Sequence, residues 1–268
     1  MLAPAGRPEH ITALVAGVDR YNPSNVHLLE DYLQQQLATD QYDILANLAL
    51  LKLYQFNPAI LSPSAALSVL FLTLAHAPFS PDFSLAWSLL GDSFVTGAAL
   101  PPPLPTSDDD SEDDDDEGAP ASSRSPAQPN GEKETAERLF ALSKLLQARK
   151  FRDFWALLRE GAKEGSKEGE VKEAVEGLVK SAPAFEARVQ ESIAGEVERS
   201  FRSIARATLE VFLGSKESVD ALASKRNWTV KGSDVQLPQN ESNTPKASVT
   251  HERIEIEQLA RLLGKSQA

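Results

Sequence analysis

The segment from Gln41 to about Gln55 reads as a helix with apolar residues on two faces. Tyr42, Leu45, Ala49, Leu53 and Phe56 form one stripe at helical spacing; Ile44, Leu48 and Leu51 form a second. A helix apolar on two sides has to be covered on both, so it belongs between neighbouring helices rather than at an edge. That requirement points to stacked helical layers, as in solenoid-like α folds. No clean period of 34 or 40 residues runs through the chain, so any repeat is one of structure rather than of sequence.

The flanking segments supply the neighbours. Ile11, Leu14, Val15 and Val18 follow the spacing of one apolar stripe, which Arg20-Tyr21-Asn22-Pro23 ends because the residue before proline is pushed out of the α region. Ser24 is placed to cap a second helix with Val26, Leu29, Leu33 and Leu37 as its stripe, and Asp40 to cap the third, which Asn57-Pro58 stops. Ser62-Pro63 and Ser80-Pro81 each put a capping serine before a proline at the first helical position. Leu139, Leu142, Leu145 and Leu146 make a later helix, Phe151, Phe154, Trp155 and Leu158 the next, and Val171, Val175, Leu178 and Val179 another, closed by Ala182-Pro183.

Ala98 to Lys133 interrupts this pattern. It holds seven of the seventeen prolines and only Leu100 and Leu104 as apolar side chains larger than alanine. Such a segment buries too little surface to offset the entropy of ordering it, so disorder is expected there. Ser107 to Glu117 within it carries nine acidic residues, which leaves the rest of the chain with 30 acids against 27 bases, close to neutral beside the overall net charge of −12. A strongly basic nucleic-acid binder is thereby disfavoured. A second mobile loop is expected at Gly161 to Glu170, rich in Gly, Lys and Glu.

From Phe185 the apolar positions run 189, 193, 197 and 201, always in steps of four. Four such steps rotate the stripe by roughly 160°, so one straight helix cannot keep it on one core. The expected break is near Arg199, with Ser200 capping a helix that carries Phe201, Ile204, Ala205, Thr208 and Phe212, ended by Gly214. A further helix runs from about Ser215 to Arg226; Thr229-Val230, Val235-Gln236-Leu237 and Arg253 to Ile256 read as short strands, and Leu259 to Leu263 as a final apolar turn. Helices followed by a small β element are the order of a winged helix. The expected fold is therefore mainly α: a helical-repeat (HEAT/TPR-like) domain in two parts, 1–97 and 134–183, around the acidic insert 98–133, then a winged helix over 184–268.

No constellation of catalytic or metal-ligating residue types stands out in the sequence. The absence of cysteine excludes disulfide scaffolds and thiol nucleophiles. His10, His27, His76 and His251 are scattered with no metal-ligand spacing, so neither a metal site nor a hydrolytic centre is supported. Gly161 to Lys167 resembles a phosphate loop but has Ser166 for the second glycine, Glu168 for Ser/Thr, and no strand before it. Met1 to Pro8 lack the basic and apolar regions of a signal peptide, and Ala65 to Ala77 is too short to span a bilayer, so a cytoplasmic protein is expected. A winged helix could serve a nucleic-acid-binding regulator. Ser215 to Lys231, however, sets Lys216, Lys225, Arg226 and Lys231 against Glu217 and Asp220, a small surplus for duplex recognition.

Two stretches carry a family likeness. Gly17 to Pro23, containing Arg20, Tyr21, Asn22 and Pro23, and the seventeen contiguous positions Tyr42 to Pro58, containing Asn47, Tyr54, Phe56, Asn57 and Pro58, closely resemble the subunit K family of eukaryotic translation initiation factor three. Pro81 to Leu85 and Phe151 to Trp155, with Phe154 and Trp155, are similar to later family segments. The resemblance implies a PCI-type module: a helical repeat followed by a winged helix. It implies a non-catalytic subunit with no cofactor and no small-molecule substrate. Its partners would be other subunits of that factor, subunit L above all, and the small ribosomal subunit indirectly. A winged helix can pair through an exposed strand edge. Val235, Gln236 and Leu237 are the candidate edge, and Leu259, Leu262 and Leu263 candidates for packing on a partner. The motif residues are expected to act structurally, Tyr21, Asn22, Pro23, Asn57 and Pro58 shaping turns, Tyr54 and Phe56 filling space between helices.

Overall fold

The computed structural model describes residues 4, 6–90, 94, 130–159, 167–244, 256, 260 and 261. The chain opens with α1 (Glu9–Ala16), α2 (Val26–Thr39) and α3 (Ile44–Phe56). Ile11, Leu14 and Val15 of α1 are buried, but Val18 is 82% exposed. Gly17 adopts an extended backbone and ends the helix first, and Val18 falls in the 3-10 turn Val18–Tyr21.

The caps differ from those expected. Ser24 lies inside the 3-10 turn Pro23–Asn25, where its N–H donates to the Asn22 side chain at 3.0 Å. Asp40 closes α2 in the left-handed region at φ 53°, which a short polar side chain tolerates. Asp43 caps α3 instead, accepting the Ala46 N–H at 3.3 Å. Both aspartates can cap; Asp43 takes the role because Arg7 and Tyr32 also donate to its carboxylate and fix it there.

α3 buries Ala46, Asn47, Leu50, Leu51, Leu53 and Tyr54 and packs against α1, α2, α4 (Pro63–His76) and α5 (Asp82–Leu89). It is a shared middle layer. Phe56 departs from the expected role: it is 57% exposed, because the helix ends there and turns it outward. α4 goes further, with every residue from Ala65 to Ala75 buried, since α2, α3, α5, α6 (Asn130–Gln147) and α9 (Phe185–Ser200) surround it. Ser62 caps it, accepting the Ala65 N–H, with Pro63 at its first position. α5 begins at Asp82 rather than at Pro81, its first N–H donating to the Ser80 hydroxyl at 3.3 Å.

α6 begins at Asn130, inside the stretch expected to be disordered, and α8 (Lys167–Ser181) begins inside the expected loop. The rest of those two expectations, 98–129 and 161–166, lies outside the described residues. α7 (Phe151–Arg159) joins α6 through a turn in which Arg149 has φ 58°.

α9 buries Phe185, Val189, Ile193, Ala194 and Val197 and ends at Ser200. No helix starts there: Phe201 is extended and 39% exposed, Ser203–Ala205 form strand β1, and α10 (Arg206–Leu213) buries Leu209 and Leu213, leaving Thr208 exposed. The cause is distant, since Ile204 pairs with Val235. After α11 (Lys216–Arg226), strands β2 (Thr229–Lys231) and β3 (Asp234–Gln236) complete an antiparallel sheet of order β1-β3-β2. Helix, strand, two helices and a hairpin make a winged helix, and the whole is a mainly α helical module closed by it. One hydrophobic cluster runs unbroken from Ile11 to Leu237.

Candidate docking surface

The sheet order decides which backbone is open. β3 is central, paired on both sides, with Val235 wholly buried and Leu237 buried just after it. Val235 to Leu237 therefore cannot be the free edge; of the three, Gln236 alone is exposed. Among the described residues the outer strands are β1 and β2. All three residues of β2 are exposed, and Val230 is 41% so. Val211 on α10 adds another exposed apolar side chain. No local pattern could separate β2 from β3, because both are short and which lies outside depends on β1. Leu259, Leu262 and Leu263 lie outside the described residues, as do Arg253 to Glu255 of the expected last strand; Ile256 is helical and 84% exposed.

The winged helix is fixed firmly to the helical stack. Trp155 on α7 donates its indole N–H to the Phe212 carbonyl at 2.8 Å, and Arg159 lies 4.8 Å above the Trp155 ring while donating to the Gly214 carbonyl at 2.6 Å. Gly214 ends α10 at φ 69°, and a Cβ there would sit 2.7 Å from the indole, so this close approach requires glycine. Phe71 of α4 stacks on Phe185 at 4.5 Å, and Phe151 meets Phe212 edge-on at 5.4 Å. Arg188 on α9 pairs with Asp40, which also lies 3.3 Å from His76. Burial pushes the His76 imidazole below its ordinary range despite that carboxylate, and its ring stacks on Tyr42 at 5.4 Å.

The motif residues divide into two groups. Asn22 and Asn57 use their side chains on turns, Asn57 donating to the Leu53 carbonyl at 3.0 Å, and Pro23 and Pro58 each open a 3-10 turn. Asn47 is buried and exchanges hydrogen bonds with Gln36 at 2.9 and 3.2 Å; Tyr54 donates to Glu30. Phe154 and Trp155 are buried. Arg20, Tyr21 and Phe56, by contrast, meet solvent.

The exposed face of α11 carries less charge than its sequence suggests. Lys225 pairs with Glu191 at 2.9 Å and Arg226 with Glu198 at 2.8 Å. The Lys225 hydrogen bond holds Glu191 below the usual carboxylate range. A hollow of about 470 Å³ between the turn after α4 and α9 holds His76, Glu191, Glu196, Arg199 and Arg226. Its charges are already matched, Glu196 by both Arg149 and Arg199, so no acid and base converge on open space. Among the described residues no three metal-ligating side chains gather, and no helix is long and apolar enough to cross a membrane.

Comparison with known proteins gives consistent matches. The sequence model of the CSN8/PSMD8/EIF3K family matches residues 67–249. Eukaryotic translation initiation factor 3 subunit K of Mycosarcoma maydis is 34% identical, covering 100% of this chain and 94% of its own. The proteins of that name from Botryotinia fuckeliana and Aspergillus fumigatus are 31% and 32% identical, each over 97% of this chain and 94% of their own.

Proposed function

Because the chain belongs to the CSN8/PSMD8/EIF3K family, we propose that it is a non-catalytic scaffold subunit of eukaryotic translation initiation factor three. In this reading it works in the cytoplasm, supporting small-ribosomal-subunit binding and recruitment of initiator tRNA and mRNA through protein contacts alone. Subunit L is its tightest neighbour. In this reading the repeat has two parts, 1–97 and 134–183, the second reaching back to Asn130 where α6 begins, with the insert before it and the winged helix over 184–268.

The observation that carries the reading is that β2, Thr229–Lys231, is an outer strand among the described residues, on a winged helix held rigidly to the stack. A rigid mount matters because pairing a loose edge would cost the entropy of ordering it. Partner backbone added along β2 supplies hydrogen bonds, and Val230 supplies apolar contact. The pairing of Lys225 and Arg226 leaves only Lys216 and Lys231 of the four cations in Ser215 to Lys231 unmatched among the described residues, too few for duplex recognition, which weighs against a nucleic-acid-binding regulator.

The test is affinity purification of the tagged full-length chain from its native cell. Co-purification of the other subunits, subunit L most resistant to salt, is expected, with Val230→Asp weakening recovery at least tenfold. Intact small ribosomal subunits with none of these subunits recovered would overturn the reading.

A further inference from the structure

We propose that the N-terminal helices carry a second docking groove, one that takes an acidic amphipathic helix of a partner protein. This goes beyond the reading above, since it concerns a surface built from α1, α3 and the end of α5 and does not depend on which assembly the chain joins.

The groove has a volume of about 530 Å³, and Val15, Leu45, Leu48 and Leu89 give it an apolar floor. Tyr21 and Phe56 stand beside it, ring centroids 5.9 Å apart, at 44% and 57% exposure. Two aromatic rings left in water on a folded surface are a binding feature rather than a packing one. Each ring carries a cation: the Arg20 guanidinium lies 4.8 Å from the Tyr21 centroid and the Lys52 ammonium 4.6 Å from that of Phe56.

Charge identifies the occupant. Arg20 and Lys52 form no ion pair among the described residues; Arg20 donates to the Val15 carbonyl at 3.4 Å and Lys52 to the Gln55 amide oxygen at 2.7 Å. Lys144, Lys150, Arg152, Lys180, Lys216 and Lys231 also form no ion pair among the described residues, but neither these nor the matched Arg149, Arg159, Arg188, Arg199, Arg206, Lys225 and Arg226 line the groove. Among the described residues no carboxylate lines the groove, and its third cation, Arg7, is satisfied by Asp43. In a chain of net charge −12, two unmatched cations over an apolar floor are complementary to an acidic ligand with apolar anchors. The walls are helices whose backbone is already hydrogen-bonded, so an incoming strand would find no ladder to join. A helix presenting anchors at i, i+3, i+4 and i+7 uses side chains only, which is what this groove offers.

The experiment is fluorescence anisotropy with the full-length protein and labelled helical peptides bearing leucine at that spacing and glutamate between, together with lysine-for-glutamate and glutamine-for-glutamate versions. The glutamate peptide should bind at least tenfold tighter than either. Arg20→Glu combined with Lys52→Glu, shown folded by circular dichroism, should reduce its affinity at least tenfold, and hydrogen exchange should show protection over residues 44–56. Equal binding of the three peptides refutes the proposal on the unmutated protein alone. Protection confined to the winged helix, a dimer by sedimentation that the peptide dissociates, or a tenfold rise in affinity on deleting residues 98–129 would each overturn it, the last two by naming a second copy or the chain's own acidic run as occupant.

Discussion

Gly214→Ala perturbs the joint between the winged helix and the helical stack at one atom. The new methyl would enter a left-handed residue, at φ 69°, which costs about 1–2 kcal/mol for an L side chain. It would also lie 2.7 Å from Cγ and Cδ2 of Trp155. The indole cannot swing aside freely, being hydrogen-bonded to the Phe212 carbonyl, covered by Arg159 and flanked by the Phe154 ring at 4.9 Å. Overpacking of that kind costs about 1–3 kcal/mol. The expected loss is thus about 2–5 kcal/mol, read by urea unfolding followed by circular dichroism and tryptophan fluorescence. Gly177→Ala is the control: it sits in α8 with nothing within 4 Å of the new Cβ and should stabilise by about 0.5–1 kcal/mol. In a Trp155→Leu background the Gly214→Ala cost should shrink toward the backbone contribution of about 1–2 kcal/mol. A Gly214→Ala loss under about 1 kcal/mol, or an equal loss in both backgrounds, would refute the claim that close approach to the indole demands glycine there.

Val235→Asp, in the central strand, should cost more than about 3 kcal/mol and abolish the cooperative unfolding of the winged helix, whereas Val230→Asp on the edge should shift stability by less than about 0.5 kcal/mol; paired urea curves separate the two. Asp43→Ala should destabilise by about 3–5 kcal/mol in the same assay, because it leaves the largely buried Arg7 guanidinium without its carboxylate and Tyr32 without its acceptor. His76 gives a pH signature. Its folded value lies below the unfolded value of about 6.5, so on acidification the unfolded chain takes up the proton first, and stability falls as pH drops below that value and is unaffected above it. His76→Gln should flatten the difference between unfolding curves at pH 7 and at lower pH; an unchanged slope would refute a buried neutral imidazole.

Much of the helical part was legible because its signals are local. Stripes at three- and four-residue spacing located α1 to α3 and α6 to α9, Ser62-Pro63 marked the start of α4, and the two-sided apolar pattern of α3 foretold a helix with neighbours on more than one side. Caps were harder. Asp40 and Asp43 are equivalent as local signals, and what separates them is Arg7, thirty-six positions from Asp43. Phe56 read as interior because its spacing matched the stripe, yet the helix ends at that residue and periodicity says nothing about the last turn.

Local residue order alone determined that this chain would be a helical stack with an acidic interruption and a small β cap, since hydrophobic spacing, prolines and charge runs act over a few neighbours. Tertiary structure alone decided that Ser203–Ala205 is a strand and that β3 lies inside the sheet, with β2 an outer strand among the described residues. It also decided which cations remain unmatched at the surface. Pairing register and ion pairing join residues tens of positions apart, and a hydrogen bond or charge contact of that kind leaves no periodic trace in either partner's surroundings.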